Sequence, residues 1–368
     1  MQFNGQSYSH NQQAKVGVLI CNLGTPAAPT KQALRPYLKQ FLSDPRVVEI
    51  PRLIWWFILN VIILNIRPAK SAKAYQQVWT ERGSPLAFHT ADQAKKLGEH
   101  LQAAYGDRVQ VDWAMRYGQP SIESRIQQFL DAGVEKLLVL PLYPQYSAST
   151  TASTFDALAA DFKQRRWLPQ LRFVTQYHDH PAYIQAVADS VRAYREVHGS
   201  ADKLIFSYHG VPLRYLHKGD PYHCQCLKTS RLVAENLGLN DSDVITSFQS
   251  RFGRAQWLQP YTDATLKSLP ASGVESVQVI CPGFSSDCLE TIEEIGDENR
   301  GYFLEAGGQS FAYIPALNAS ESHIQFLARL VGEQTQGWLD QPEETLEQRN
   351  MRAKRAQGCP HNQPSKPL

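Results

Sequence analysis

The chain has 368 residues, too many for one ordinary core and suited to two domains of ordinary size. Its 43% hydrophobic and 20% charged residues are those of a globular protein and exclude a disordered, collagen-like or coiled-coil chain. A formal net charge of +2, with basic and acidic residues interspersed, leaves no electrostatic footprint for nucleic acid.

The first fifteen residues, MQFNGQSYSHNQQAK, are polar and lack the apolar core and cleavage site of a secretory signal, so cytoplasm is the expected compartment. Residues 15–26, KVGVLICNLGTP, read as a strand ending in a Gly-Pro turn, and TKQALRPYLKQFL follows as a helix. LIWWFILNVIILNI, residues 53–66, is nearly unbroken apolar sequence. It falls short of the ~20 residues that span a bilayer, so it reads as a buried helix or as an apolar lip facing lipid or a greasy ligand. Further strands are expected at QVDWAMRYGQP and VEKLLVLPLYPQYSAST, then at KLIFSYHGVP (203–212), DVITSFQSRFGR and VESVQVICPGFSSDCLET, with helices between them.

The two halves echo each other. Arg116-Tyr117-Gly118 matches Arg251-Phe252-Gly253, and GVEKLLVLP from Gly133 matches GVESVQVICP from Gly273. The pattern predicts an α/β protein of two similar doubly wound parallel-sheet domains, over 15–185 and 186–332, with ligands held in a cleft beyond the carboxyl ends of the strands. Residues 333–368 read as a polar tail, a short charged helix followed by disorder.

No G-x-G-x-x-G and no P-loop motif is present, so a nucleotide cofactor is not supported. The strand LIFSYHGVP instead delivers His209, and the last strand delivers Phe284 and then DCLETIEEIGDE. On an α-helix Asp287, Glu290, Glu294 and Glu298 share one face, a ladder of repelling carboxylates that a divalent metal would relieve, whereas Glu293 and Asp297 read as a solvated face.

Taken together, SYHGVP, FQSRFG, CPGFSSDCLETIEEI, LPLYPQYSAST and RGSPL resemble the ferrochelatases, enzymes that insert ferrous iron into a porphyrin, over about 15–331. The resemblance implies two Rossmann-like, chelatase-type domains around a porphyrin cleft, with Fe(II) and protoporphyrin IX as substrates and protohaem as product. It implies His209 and Glu290 as catalytic residues and metal ligands, the imidazole taking pyrrole protons; the spacing of Asp287, Glu294 and Glu298 beside Glu290 makes the ladder a candidate metal path. Arg67, Tyr75 and Ser84 match positions around the porphyrin propionates, and Arg116, Tyr117 and Phe284 match pocket-lining positions. The 53–66 segment matches the apolar lip, which fits peripheral membrane contact.

No cofactor is expected beyond the substrate iron. Relatives that carry an iron-sulfur cluster use one cysteine in the PQYSxST loop and three in the tail, whereas this chain has Ala148 and only Cys359 there. Cys224 and Cys226 are left as weak candidates for another metal site. Cys288 stands where some relatives have histidine. The alternatives are a chelatase for another metal or for coproporphyrin, and a haem or porphyrin carrier without catalysis.

Overall fold

The computed structural model describes residues 3–5, 9–253 and 255–359. The apolar run near the start forms β1 (Lys15–Gly24), which pairs in parallel with β2 (Val109–Tyr117) and β3 (Val134–Pro141), and β4 (Gln170–Phe173) completes a sheet of order β2-β1-β3-β4. The second half repeats this arrangement. β5 (Lys203–His209), β6 (Val244–Gln249), β7 (Ser276–Ile280) and β8 (Ser310–Ile314) form a parallel sheet of order β6-β5-β7-β8. Helices cover both faces of each sheet, which is why the central strands read as continuous apolar sequence rather than as alternation.

The sheets share a core. Val18, Ile20, Leu138 and Leu140 of the first join Leu204, Phe206 and Tyr208 of the second through helices Pro85–Tyr105, Pro181–His198 and Glu321–Gln334. A boundary between 185 and 186 falls inside helix Pro181–His198, so that helix crosses it. The outer faces have their own clusters, around Ile126, Phe129 and Val139 in the first half and around Leu266, Val279 and Phe303 in the second.

Register corrects part of the internal echo. The Gly133 and Gly273 segments align as read, but the Met115 amide donates to the Pro120 carbonyl where the Phe248 amide donates to that of Pro260. Because Asn22 pairs with Met115 and Tyr208 with Phe248, Arg116 and Tyr117 correspond to Gln249 and Ser250, not to Arg251 and Phe252. Extra residues in the second loop moved the Arg-aromatic-Gly word two positions along the strand end.

The apolar segment lies in a longer continuous helix than its composition suggested, Arg52–Val78, 27 residues with a π-helical stretch at Ile58–Ile63. By length and mean hydropathy this helix could cross a bilayer. One side of it, however, is packed in the protein: Trp55, Leu59, Leu64 and Tyr75 are buried with Leu34, Leu38, Leu42 and Tyr117, and the Trp55 indole donates to the Leu42 carbonyl at 2.6 Å. The other side exposes Leu53 (88%), Ile54, Trp56, Phe57, Val61, Ile62 and Ile66 (69%).

In the tail, Trp338 and Leu339 are buried in the shared core. Helix Leu346–Gln357 follows with no buried residue, its Arg352 donating to the His10 and Gln12 carbonyls. The disorder expected at the end of the tail concerns residues 360–368, which lie outside the described residues.

Candidate functional site

The carboxyl ends of both sheets open on one cleft, the place where doubly wound sheets hold their ligands. Asn22 to Thr25 at the end of β1 and Leu142, Tyr143 and Gln145 after β3 form one wall, and His209 at the end of β5 and Gly283 to Ser286 after β7 form the other. Between them stand Leu86, Leu289, Tyr37, Tyr75, Tyr222 and Glu290. The floor requires glycine at one point. Gly24 has a φ of 125°, and a Cβ there would lie 1.9 Å from the Tyr117 carbonyl oxygen.

His209 is oriented by its own turn. Its Nδ1 lies 2.6 Å from the Gly210 carbonyl oxygen, which can only accept, so Nδ1 carries a proton, and in the neutral ring the lone pair is on Nε2. Glu290 begins a π-helical segment, Glu290–Asn299, that continues into helix Arg300–Glu305. Such winding is rare and concentrates at functional sites, and it alters the face that α-helical spacing predicts.

The acidic row is accordingly shorter than the spacing implied. Asp287 is buried and turned into the protein, where its carboxylate accepts from the Tyr313 hydroxyl at 2.6 Å, the Asn318 amide at 2.7 Å and the Thr291 hydroxyl at 3.0 Å. Those donors satisfy it and anchor the start of the acidic helix, so it leaves the row. Glu290, Glu294 and Glu298 remain, four residues apart. Glu294 accepts from the Ser250 amide at 2.7 Å and from the Ser250 hydroxyl, and Glu298 accepts from the Tyr302 hydroxyl at 2.5 Å.

Ser250 is a residue that sequence reasoning missed. It holds a left-handed φ of 64°, costly for a residue with a Cβ, and this aims both its donors at Glu294. Burial raises the Glu294 carboxyl above the ordinary range for glutamate, the Ser250 bonds and His209 oppose that rise, and Glu290 adds to it. Gln249, also missed, ties the groups together: its amide donates to the Glu290 carbonyl at 2.8 Å and its oxygen accepts from Ser207 at 2.7 Å. Only the strand-end position signals these two residues in the sequence.

At the opposite wall the donors are neutral. Thr25 donates to Ser84 at 2.8 Å, and Tyr37 donates to the Gly24 carbonyl at 3.1 Å. Burial pushes the Tyr37 and Tyr75 phenols up, with the Glu290 charge contributing to both, so they stay protonated.

Of the six residues expected to hold a porphyrin, Tyr75, Ser84 and Phe284 line the cleft. Arg67 is not among the lining residues; its guanidinium lies 5.4 Å from the Phe252 ring centroid, so that it bridges the lip helix to the loop after β6, and burial lowers its pKa while the nearby Tyr37 of the cleft opposes that fall. Arg116 and Tyr117 are not in the wall either. Asp44 takes both: Arg116 Nη2 lies 2.7 Å and the Tyr117 hydroxyl 2.8 Å from its carboxylate, and Tyr117 has no exposed surface. Cys288 lines the cleft beside Glu290. Cys224 is exposed whereas Cys226 is fully buried, so the pair points to different sides of helix Tyr222–Leu237. Among the described residues no three His, Cys, Asp or Glu side chains converge as a metal-holding set.

The family model for ferrochelatase matches residues 15–335. A protein named "Ferrochelatase" from Teredinibacter turnerae is 66% identical over 368 residues, covering all of both chains. Proteins of the same name from Idiomarina loihiensis and Pseudoalteromonas atlantica are 61% and 62% identical, over 96% and 91% of this chain and 97% and 93% of theirs. With a family model over most of its length and such identity across whole chains, this chain belongs to the ferrochelatase family.

Proposed function

We propose that the cleft inserts Fe(II) into protoporphyrin IX to give protohaem, with His209 and Glu290 at the reacting centre. The observation that carries this is their meeting in one cavity otherwise walled largely by aromatic and aliphatic side chains. One ends β5 and the other follows β7, the strand beside it.

Insertion breaks two pyrrole N–H bonds, forms iron–nitrogen bonds and releases two protons, while the iron remains Fe(II). No electron is exchanged, so the step needs no redox cofactor. His209 accepts a pyrrole proton on Nε2, the nitrogen left free by the bond from Nδ1 to Gly210. Glu290 meets the iron and, with Glu294 and Glu298, forms the route along which iron approaches and protons leave. Tyr75 and Ser84 donate to the propionates, and Phe284 presses on the macrocycle. The exposed apolar face of the lip helix suits peripheral contact with a membrane surface, from which a poorly soluble porphyrin would reach the cleft.

Anaerobic Fe(II) and protoporphyrin, followed by loss of free-porphyrin fluorescence, test the reading. His209→Ala should lower insertion by about 10²–10⁴-fold while circular dichroism shows a folded chain, and retained activity would overturn the assignment. Competition with coproporphyrin at equal concentration measures the preference between tetrapyrroles. Tight haem binding without turnover would identify a carrier.

A further inference from the structure

Gln93 lies on helix Pro85–Tyr105 of the first half, has no exposed surface and reaches into the second half. Its amide nitrogen donates to the Ser285 carbonyl at 2.8 Å and to the Asn318 carbonyl at 3.0 Å, and its oxygen accepts from the Ser286 hydroxyl at 3.2 Å. The side chain thus uses both donor hydrogens and an acceptor on two loops. One loop carries Phe284 and Ser285 of the cleft wall and leads to Glu290. The other carries Asn318, which donates to the Asp287 carboxylate and accepts from the Asp287 amide. The same helix is preceded by Ser84 at its N-cap, in the opposite wall of the cleft.

We propose that Gln93 is a positioning residue that sets the spacing between the two walls, holding the loop before the acidic helix so that Glu290 faces His209. The proposal rests on the function proposed above. A carboxamide suits this place, because it brings two hydrogens to the two carbonyl oxygens and an acceptor to the Ser286 hydroxyl without burying a charge. A methionine has none, and a glutamate has one when protonated and none when ionised.

That difference supplies a test that a merely space-filling role would not pass. Gln93→Glu should insert iron somewhat below the unmodified rate at low pH, where its one hydrogen serves one of the two carbonyls, and lose about tenfold in kcat as pH rises and the carboxylate comes to face both carbonyl oxygens. Gln93→Met should lose about tenfold at every pH, with porphyrin affinity, read by protein-fluorescence quenching, within about twofold. An unaltered pH profile in Gln93→Glu, or a Gln93→Met loss confined to porphyrin affinity, would overturn the proposal. Absence of insertion by the unmodified chain would instead overturn the function on which it rests.

Discussion

At matched strand ends the two sheets each hold a carboxylate, buried in the first half and half-buried in the second. In the first half Asp44 accepts from the Tyr117 hydroxyl, the Ser153 hydroxyl at 2.6 Å, the Arg46 amide at 2.7 Å and the Arg116 guanidinium. Burial alone would raise its carboxyl, but those donors and the cation together hold it below the ordinary range for aspartate. In the second half the corresponding strand positions are Gln249 and Ser250, and Glu294 receives both donors of Ser250. Among the described residues no lysine or arginine pairs with it, and its carboxyl is raised. One backbone frame therefore yields a neutralised ion pair on one side and, on the other, a carboxylate with its affinity for a cation or proton intact. The duplication built the cleft, and the strand-end residues divided the labour.

Exchanging charge at the matched positions should break this division most sharply. Arg116→Met leaves Asp44 without its cation and should cost about 3 kcal/mol of stability in urea denaturation, while insertion by the folded fraction stays within about threefold. Gln249→Leu should do the reverse, lowering kcat about tenfold by freeing Glu290 and Glu294, with a smaller loss of stability. If both variants lose only stability, the second carboxylate site is structural like the first.

Counted from Gly133 and Gly273, Thr150 occupies the place of Glu290, and both line the cleft within π-helical segments, Ala148–Ala152 and Glu290–Asn299. Glu290→Gln should lower insertion about 10²-fold, whereas Thr150→Val should change it by less than about threefold. Glu298→Gln belongs between these, raising the KM for iron with kcat unchanged. Equal kcat losses at 290 and 298 would abolish the idea of a graded row.

How much of this was legible in the sequence differs by level. Sheet type and the two-copy architecture followed from alternation and from the Gly133/Gly273 echo, because period and turn residues are local properties. That His209 and Glu290 would line one cleft was legible because His209 stands where a strand ends and because whole motifs resemble a family. The role of Asp287 was not. α-Helical spacing placed it on the ladder, but the partners that turn it inward, Tyr313 and Asn318, come from a distant strand and loop. Tyr117 illustrates the same limit, since its carboxylate partner lies 73 positions away. Ser250 could not be foreseen, because nothing in FQSRFG marks a serine held at positive φ.

The subtlest consequence of the comparison is in the pH dependence of stability, measured by urea denaturation of the metal-free protein. Asp44, depressed below its ordinary 3.8, contributes stability that is present above that value and lost as pH falls through the folded pKa. Glu294 has the opposite sign. Raised above 4.5, it keeps a proton in the folded state that the unfolded chain has released, so stability is fullest below 4.5 and declines as pH rises through the folded pKa. Glu294→Gln should remove that decline. Ser250→Ala should extend it to higher pH, because one donor to the carboxylate is gone while burial and Glu290 continue to raise it. A decline that persists unchanged in Glu294→Gln would assign the slope to another group and remove the electrostatic contrast between the two strand ends.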